Sequence, residues 1–154
     1  MELKVGDKAP AFKLKNQDAK LFSLADLKGK PFVLYFYPKD DTSGCTKEAC
    51  NFRDEFPKFE KLKAEIIGIS ADSVESHKKF AEKYNLPFDL LSDEKKEVVE
   101  KYGVWQEKSM YGKKYMGIVR TTFIIDATGK ISKIFPKVKV DEHNSEVMEA
   151  LKEL

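Results

Sequence analysis

The chain carries two nearly continuous apolar runs, "FVLYFY" at residues 32 to 37 and "EIIGIS" at 65 to 70, with a stretch of helical character between them. A run without polar alternation reads as a strand buried on both faces, the kind found in the middle of a sheet. Strand, helix and strand at this spacing form a parallel crossover unit, because parallel neighbours need a connection of a dozen or more residues. The class is therefore α/β.

The remaining segments extend that unit. "FKLKNQDAKLFSL" reads as a short hairpin, after which Ser23 caps a brief helix ending near Gly29. Pro38 ends the first core strand. Helical character resumes around Gly44 and runs through "CTKEACNFRDEFPKFEKLKA", bent or restarted at Pro57. After the second strand come a helix from Ser73 to Tyr84, a short strand "FDLLSD", and a helix "EKKEVVEKYG" started by Ser92 or Asp93. Residues 105 to 117 read as a loop or flexible hairpin. Its Trp105, Met110, Tyr111 and Tyr115 are expected mainly in core packing, with a substrate wall or subunit contact as alternatives. "IVRTTFIID", the turn "ATG" and "KISKIFPKV" predict an antiparallel hairpin, and residues 141 to 154 a closing helix. A parallel βαβ half followed by a ββα half is the thioredoxin-like layout, a central mixed sheet flanked by helices with an N-terminal hairpin. At 154 residues and with no linker, one domain spanning 1–154 is expected. Such scaffolds host many chemistries, so function must come from a site.

Composition narrows the classes. The 28 basic and 26 acidic residues are interspersed along the chain, which argues against nucleic acid as a partner. The apolar runs are far too short to span a bilayer. "MELKVGDKAP" lacks a secretory h-region, so a soluble, cytoplasmic protein in a reducing compartment is expected. There, the two cysteines, Cys45 and Cys50, read as reactive or metal-binding ahead of a permanent bridge. Only Arg53 and Arg120 supply a planar, permanently charged fork; every other basic residue is lysine.

Cys45 falls at the first turn of a predicted helix, where unpaired N–H groups and the positive end of the helix dipole favour a thiolate. The polar loop before it, Asp40 to Ser43, argues against burial. In an undistorted helix, residues five apart have Cα atoms about 8.7 Å from each other, whereas a disulfide needs less than about 7 Å. Joining Cys45 to Cys50 therefore requires the helix to unwind. A zinc site lacks further soft ligands, since His77 and His143 are expected on separate, solvated helices. The same placement weakens a Cys/His hydrolase. Thr42 reads as the helix cap, with contact to a substrate oxygen as the alternative. Arg120, expected within a core strand, calls for an anionic partner, and the Cys45 thiolate is the obvious candidate. Glu48 reads as a surface charge with Arg120 or Arg53 in reach. Arg53 is expected to brace the loop or to pair with Asp54, Glu55 or the acids at 40 and 41.

"PKDDTSGC" fits the P-x-x-x-T-x-x-C motif of peroxiredoxins, and "CTKEAC" resembles the cysteine spacing of their peroxiredoxin Q, or bacterioferritin comigratory protein, branch. "FRDEF", "YGVW", "YGKKYMGIVRTTFIID" and "ATGKI" resemble family segments in order, so the likeness covers roughly residues 4 to 152. Ser43 departs from it, standing where many relatives carry proline. The resemblance implies a thiol peroxidase in which Cys45 is the peroxidatic thiolate and Cys50 the resolving one. It further implies that Thr42 orients the peroxide, Pro38 shields the pocket, Arg120 stabilises the charge, and the Gly44 and Cys45 N–H groups complete the cradle. Glu48 and Arg53 are supporting. The substrate would be hydrogen peroxide or an organic hydroperoxide, the reductant thioredoxin or a similar dithiol, with no metal or organic cofactor, in a monomer or weak homodimer. A general disulfide reductase and a redox sensor or holdase are the rival readings.

Overall fold

The computed structural model describes residues 2–154. The chain runs β1 (Lys13–Lys15), β2 (Leu21–Ser23), a 3₁₀ turn at Leu24–Leu27, β3 (Phe32–Phe36), α1 (Ser43–Asp54), α2 (Phe56–Lys61), β4 (Glu65–Ser70), α3 (Val74–Tyr84), β5 (Asp89–Ser92), α4 (Glu97–Lys101), β6 (Trp105–Met110), β7 (Lys113–Ile118), β8 (Thr121–Ile125), β9 (Ile131–Phe135) and α5 (His143–Lys152). Seven strands form one mixed sheet in the order β2-β1-β5-β4-β3-β8-β9, and β6 with β7 forms a separate ribbon. This is the thioredoxin-like α/β fold expected from the pattern of strands and helices.

The continuous apolar character of β3 follows from its two-sided burial. Val33 and Tyr35, with Tyr37 beyond the strand end, face a core shared with α1, α2, α3 and α5. Phe32, Leu34 and Phe36 face the opposite core, built with α4 and Tyr102. Each such side chain contributes roughly 1.5–3 kcal/mol on burial. Strands β3, β4 and β5 are parallel neighbours, and β8 pairs antiparallel with β3 in the register Phe36↔Thr121. The carboxyl ends of the three parallel strands open on one edge, where α/β sheets place their sites.

Some boundaries differ from the sequence expectation. The break between α1 and α2 falls at Glu55, and Pro57 sits in the first turn of α2, where its missing N–H is no loss. Helix α4 starts only at Glu97, because the Asp93 carboxylate turns inward to accept the Val99 N–H at 2.8 Å. Residues 105–118 form a regular antiparallel hairpin paired from Trp105↔Ile118 to Met110↔Lys113. Only Trp105 of its predicted core residues is partly buried against the core. Met110, Tyr111 and Tyr115 are exposed by 56%, 98% and 42%, which overturns the expectation of core packing.

Gly68 is where β4 makes room for the Tyr35 ring of β3. A Cβ there would lie 2.8 Å from Tyr35 Cζ and 2.9 Å from its hydroxyl. The Gly68→Ala variant is expected to lose about 1–3 kcal/mol through overpacking. In urea unfolding the midpoint should fall at unchanged slope, and an unchanged midpoint would show that the ring moves freely.

Candidate active site

Cys45 is the third residue of α1, in the turn whose N–H groups have no intrahelical acceptor. The expected exposure is not found, for Cys45 is 1% exposed. Ala49 and Phe52 continue its helix face at i+4 and i+7 into the core around Tyr35 and Tyr37, and that packing draws the thiol inward.

Arg120 lies in the two-residue joint between β7 and β8, and not inside a strand as expected. The pairing of Phe36 with Thr121 sets it one step past the end of β3, beside the chain that leads into α1. From there Nη2 reaches Cys45 Sγ at 3.3 Å, while Nη1 donates to Glu48 Oε1 at 2.7 Å. Gly44 allows this approach, since a Cβ on it would stand 3.0 Å from Nη2. Burial alone would lower the pKa of Arg120, but Glu48 and the sulfur outweigh it and hold the guanidinium above its ordinary value.

Glu48 is not a surface charge. It is 2% exposed, and its Oε2 has no hydrogen-bond partner among the described residues. Burial pushes its carboxyl up to about 7 against the opposing pull of Arg120. Such a half-satisfied buried pair is poor evidence for stability and is better read as a specific placement of charge.

Thr42 occupies the N-cap position of α1, yet its hydroxyl does not cap. It donates to the Lys39 carbonyl at 2.9 Å, which corrects the capping expectation. Pro38, half-buried, closes the strand end beside this turn. Cys50 sits half-buried on the same unbroken helix, and both thiols are free. Arg53 makes no hydrogen bond to Cys45 among the described residues. It pairs with Asp54 at 2.9 Å and donates to the Tyr84 carbonyl at 2.8 Å, tying α1 to the end of α3.

Neither histidine is solvated. His77 is 0% and His143 2% exposed. His143 Nε2 lies 2.8 Å from Thr122 Oγ1, and burial lowers its pKa. His77 lies between Asp40 and the Leu91 carbonyl. The sequence reading also missed Lys108 and Tyr35. Lys108 Nζ donates to the Ile118 carbonyl at 3.0 Å. Burial first, then the charge of Arg120, lowers its pKa, with Cys45 opposing. Nothing in the sequence separates it from the other hairpin lysines. The buried Tyr35 hydroxyl has no partner among the described residues, and burial, followed by Glu48, keeps it protonated.

The site thus gathers a nucleophilic sulfur, a guanidinium, a buried acid and a helix N-terminus around one position, a preorganised field for charge developing on an oxygen. Comparison with known proteins bears on what such a site does. The AhpC/TSA family model matches residues 5–134. Peroxiredoxin Bcp of Bacillus subtilis is 50% identical over 154 residues, covering 100% of this chain and 98% of its own. The Escherichia coli K12 peroxiredoxin Bcp is 47% identical over 151 residues, covering 98% and 97%. A cysteine-to-serine variant of Xylella fastidiosa PrxQ superposes with a TM-score of 0.94 at 35% identity, covering 99% of this chain and 98% of that one. The bacterioferritin comigratory protein of Xanthomonas campestris, studied for alkyl peroxide reduction, gives a TM-score of 0.88 at 39% identity, covering 92% and 90%. The chain belongs to the AhpC/TSA family, as a thiol peroxidase of the Bcp/PrxQ branch of peroxiredoxins.

Proposed function

We propose that this chain, as a single domain, reduces hydrogen peroxide and organic hydroperoxides through Cys45 and resolves the product with Cys50. The observation that carries the reading is the Arg120 guanidinium 3.3 Å from a sulfur in the first turn of a helix. The Cys45 thiolate attacks the nearer peroxide oxygen and the O–O bond breaks. Sulfur becomes sulfenic acid, and the departing oxyanion takes a proton to leave as water or alcohol. Arg120 and the first-turn N–H groups of Gly44 and Cys45 stabilise the negative oxygens, and Thr42 orients the peroxide. Pro38 limits water at the pocket.

Cys50 thiolate then attacks the oxidised sulfur, the S–S bond forms, and the sulfenic oxygen leaves as water after protonation. With α1 intact the two Cα atoms stand about 8.7 Å apart, so this step follows unwinding of the first turns. The opened disulfide suits thioredoxin or a similar dithiol, in a cytoplasmic monomer or weak homodimer. Arg53 supports the far end of α1. A general disulfide reductase would leave the Cys45–Arg120–Glu48 arrangement without a task.

Rapid-quench intact mass after one equivalent of hydrogen peroxide tests both roles. Wild type should lose two hydrogens, Cys50→Ser should gain one oxygen, and Cys45→Ser should stay unchanged. A wild type that remains reduced would refute the reading.

Glu48 supports the site by tying the folded helix to pH. Its carboxyl titrates near about 7 when buried, against 4.5 for the free group. Unwinding frees the group, so the opened state binds the proton less tightly. The stability of folded α1 is therefore intact below the free value and declines as pH rises toward the buried one. Glu48→Gln should remove this slope. The variant's stability relative to wild type should rise by roughly 1–3 kcal/mol between about pH 5 and about pH 8. Urea unfolding across that range would show it, and a pH-independent difference would rule it out.

A further inference from the structure

Behind the reactive loop lies a buried network that the chemistry above does not use. Asp40, two residues before Thr42, is 7% exposed, and His77 of α3 is 0% exposed. Asp40 Oδ1 accepts from the Tyr37 hydroxyl at 2.6 Å. Its Oδ2 accepts from Ser76 Oγ at 2.7 Å and faces His77 Nδ1 at 2.7 Å. The Asp40 N–H donates to Asp72 Oδ2 at 2.8 Å, and that oxygen also accepts from Ser70 Oγ at 2.7 Å.

The protons can be counted from the partners. His77 Nε2 lies 3.0 Å from the Leu91 carbonyl, which only accepts, so Nε2 carries hydrogen. A further proton must then occupy the Nδ1···Oδ2 contact, whether it resides on the ring or on the acid. The pair is neutral overall in both cases, and every polar atom of the imidazole is satisfied. Removing either partner leaves the other buried and short of a bond, a situation that costs more than the bond itself contributes.

We propose that His77 is a positioning residue for peroxide reduction: through its proton-bridged contact with Asp40 it holds the loop that presents Thr42 to Cys45. The route is short. His77 fixes Asp40, whose position sets the adjacent Lys39 carbonyl, and that carbonyl accepts the Thr42 hydroxyl at 2.9 Å. The next residue, Asp41, is held in a left-handed conformation at φ 56 with Lys83 and Tyr84 of α3 on its carboxylate. These two contacts are exposed and weaker. The buried Asp40–His77 contact is the clamp, and α3 is the platform.

This inference rests on the peroxidatic role of Cys45, and one experiment separates the two. Rapid-quench mass spectrometry with limiting hydrogen peroxide resolves oxygen gain at Cys45 from the later loss of water to the disulfide. In His77→Leu the first step should slow at least about tenfold while the second stays within about threefold. His77→Asn, whose side-chain amide can still donate to Asp40, should recover most of the first step. Asp40→Ala cuts the same contact from the loop side and should reproduce the loss even if His77→Leu fails to fold. A wild type that takes no oxygen would overturn both the peroxidatic assignment and the clamp. A reactive wild type matched by equally fast His77→Leu and Asp40→Ala variants would overturn the clamp alone. So would equal slowing of both steps, or a His77→Asn variant as slow as His77→Leu.

Discussion

Arg120 answers two acidic groups three residues apart on one face of α1, the Cys45 sulfur and the Glu48 carboxyl. One guanidinium serves both at once, Nη1 on the carboxylate oxygen and Nη2 on the sulfur. Burial displaces the Glu48 carboxyl up to about 7 against the pull of Arg120. The surrounding fold serves the geometry. The register of β8 on β3 delivers the guanidinium to the strand end, and glycine at 44 leaves room for it.

The core strands were legible because a continuous apolar run needs burial on both faces whatever surrounds it. The 105–118 hairpin was legible only as a loop or flexible hairpin, and its packing was not, since most of its residues are exposed and no alternation marks an inner face. Local preference also misled at Thr42, whose hydroxyl takes the Lys39 carbonyl and not a helix N–H. The histidines were misread for a different reason. A histidine is polar by itself, and its burial is decided by partners far along the chain. His77 finds Asp40, 37 residues away, and His143 finds Thr122, 21 residues away. The Cys45–Arg120 contact was anticipated through charge complementarity, but the burial of Cys45 and Glu48 depends on helix packing that spacing alone does not reveal.

The same contacts divide the reactive segment into a firmly anchored part and a lightly buried one. Residues 37 to 41 are bound to α3 and the strand ends through the Tyr37, Asp40 and Asp41 contacts. Beyond them, the stretch of α1 up to Cys50 buries only Cys45, Glu48 and Ala49. A thiol, an acid with an orphaned oxygen and one methyl are a small loss when exposed. The large anchor, Phe52, lies past Cys50 and stacks near Tyr35, Phe59 and His143, where withdrawal would cost about 3–5 kcal/mol. The proposed joining of Cys45 to Cys50 therefore calls only for unwinding that stops between Cys50 and Phe52 and leaves Phe52 in place. The upstream limit is Asp40, held by a bond that does not involve α1. The first turns of α1 thus lie between two anchors, the buried Asp40–His77 contact upstream and the Phe52 ring downstream.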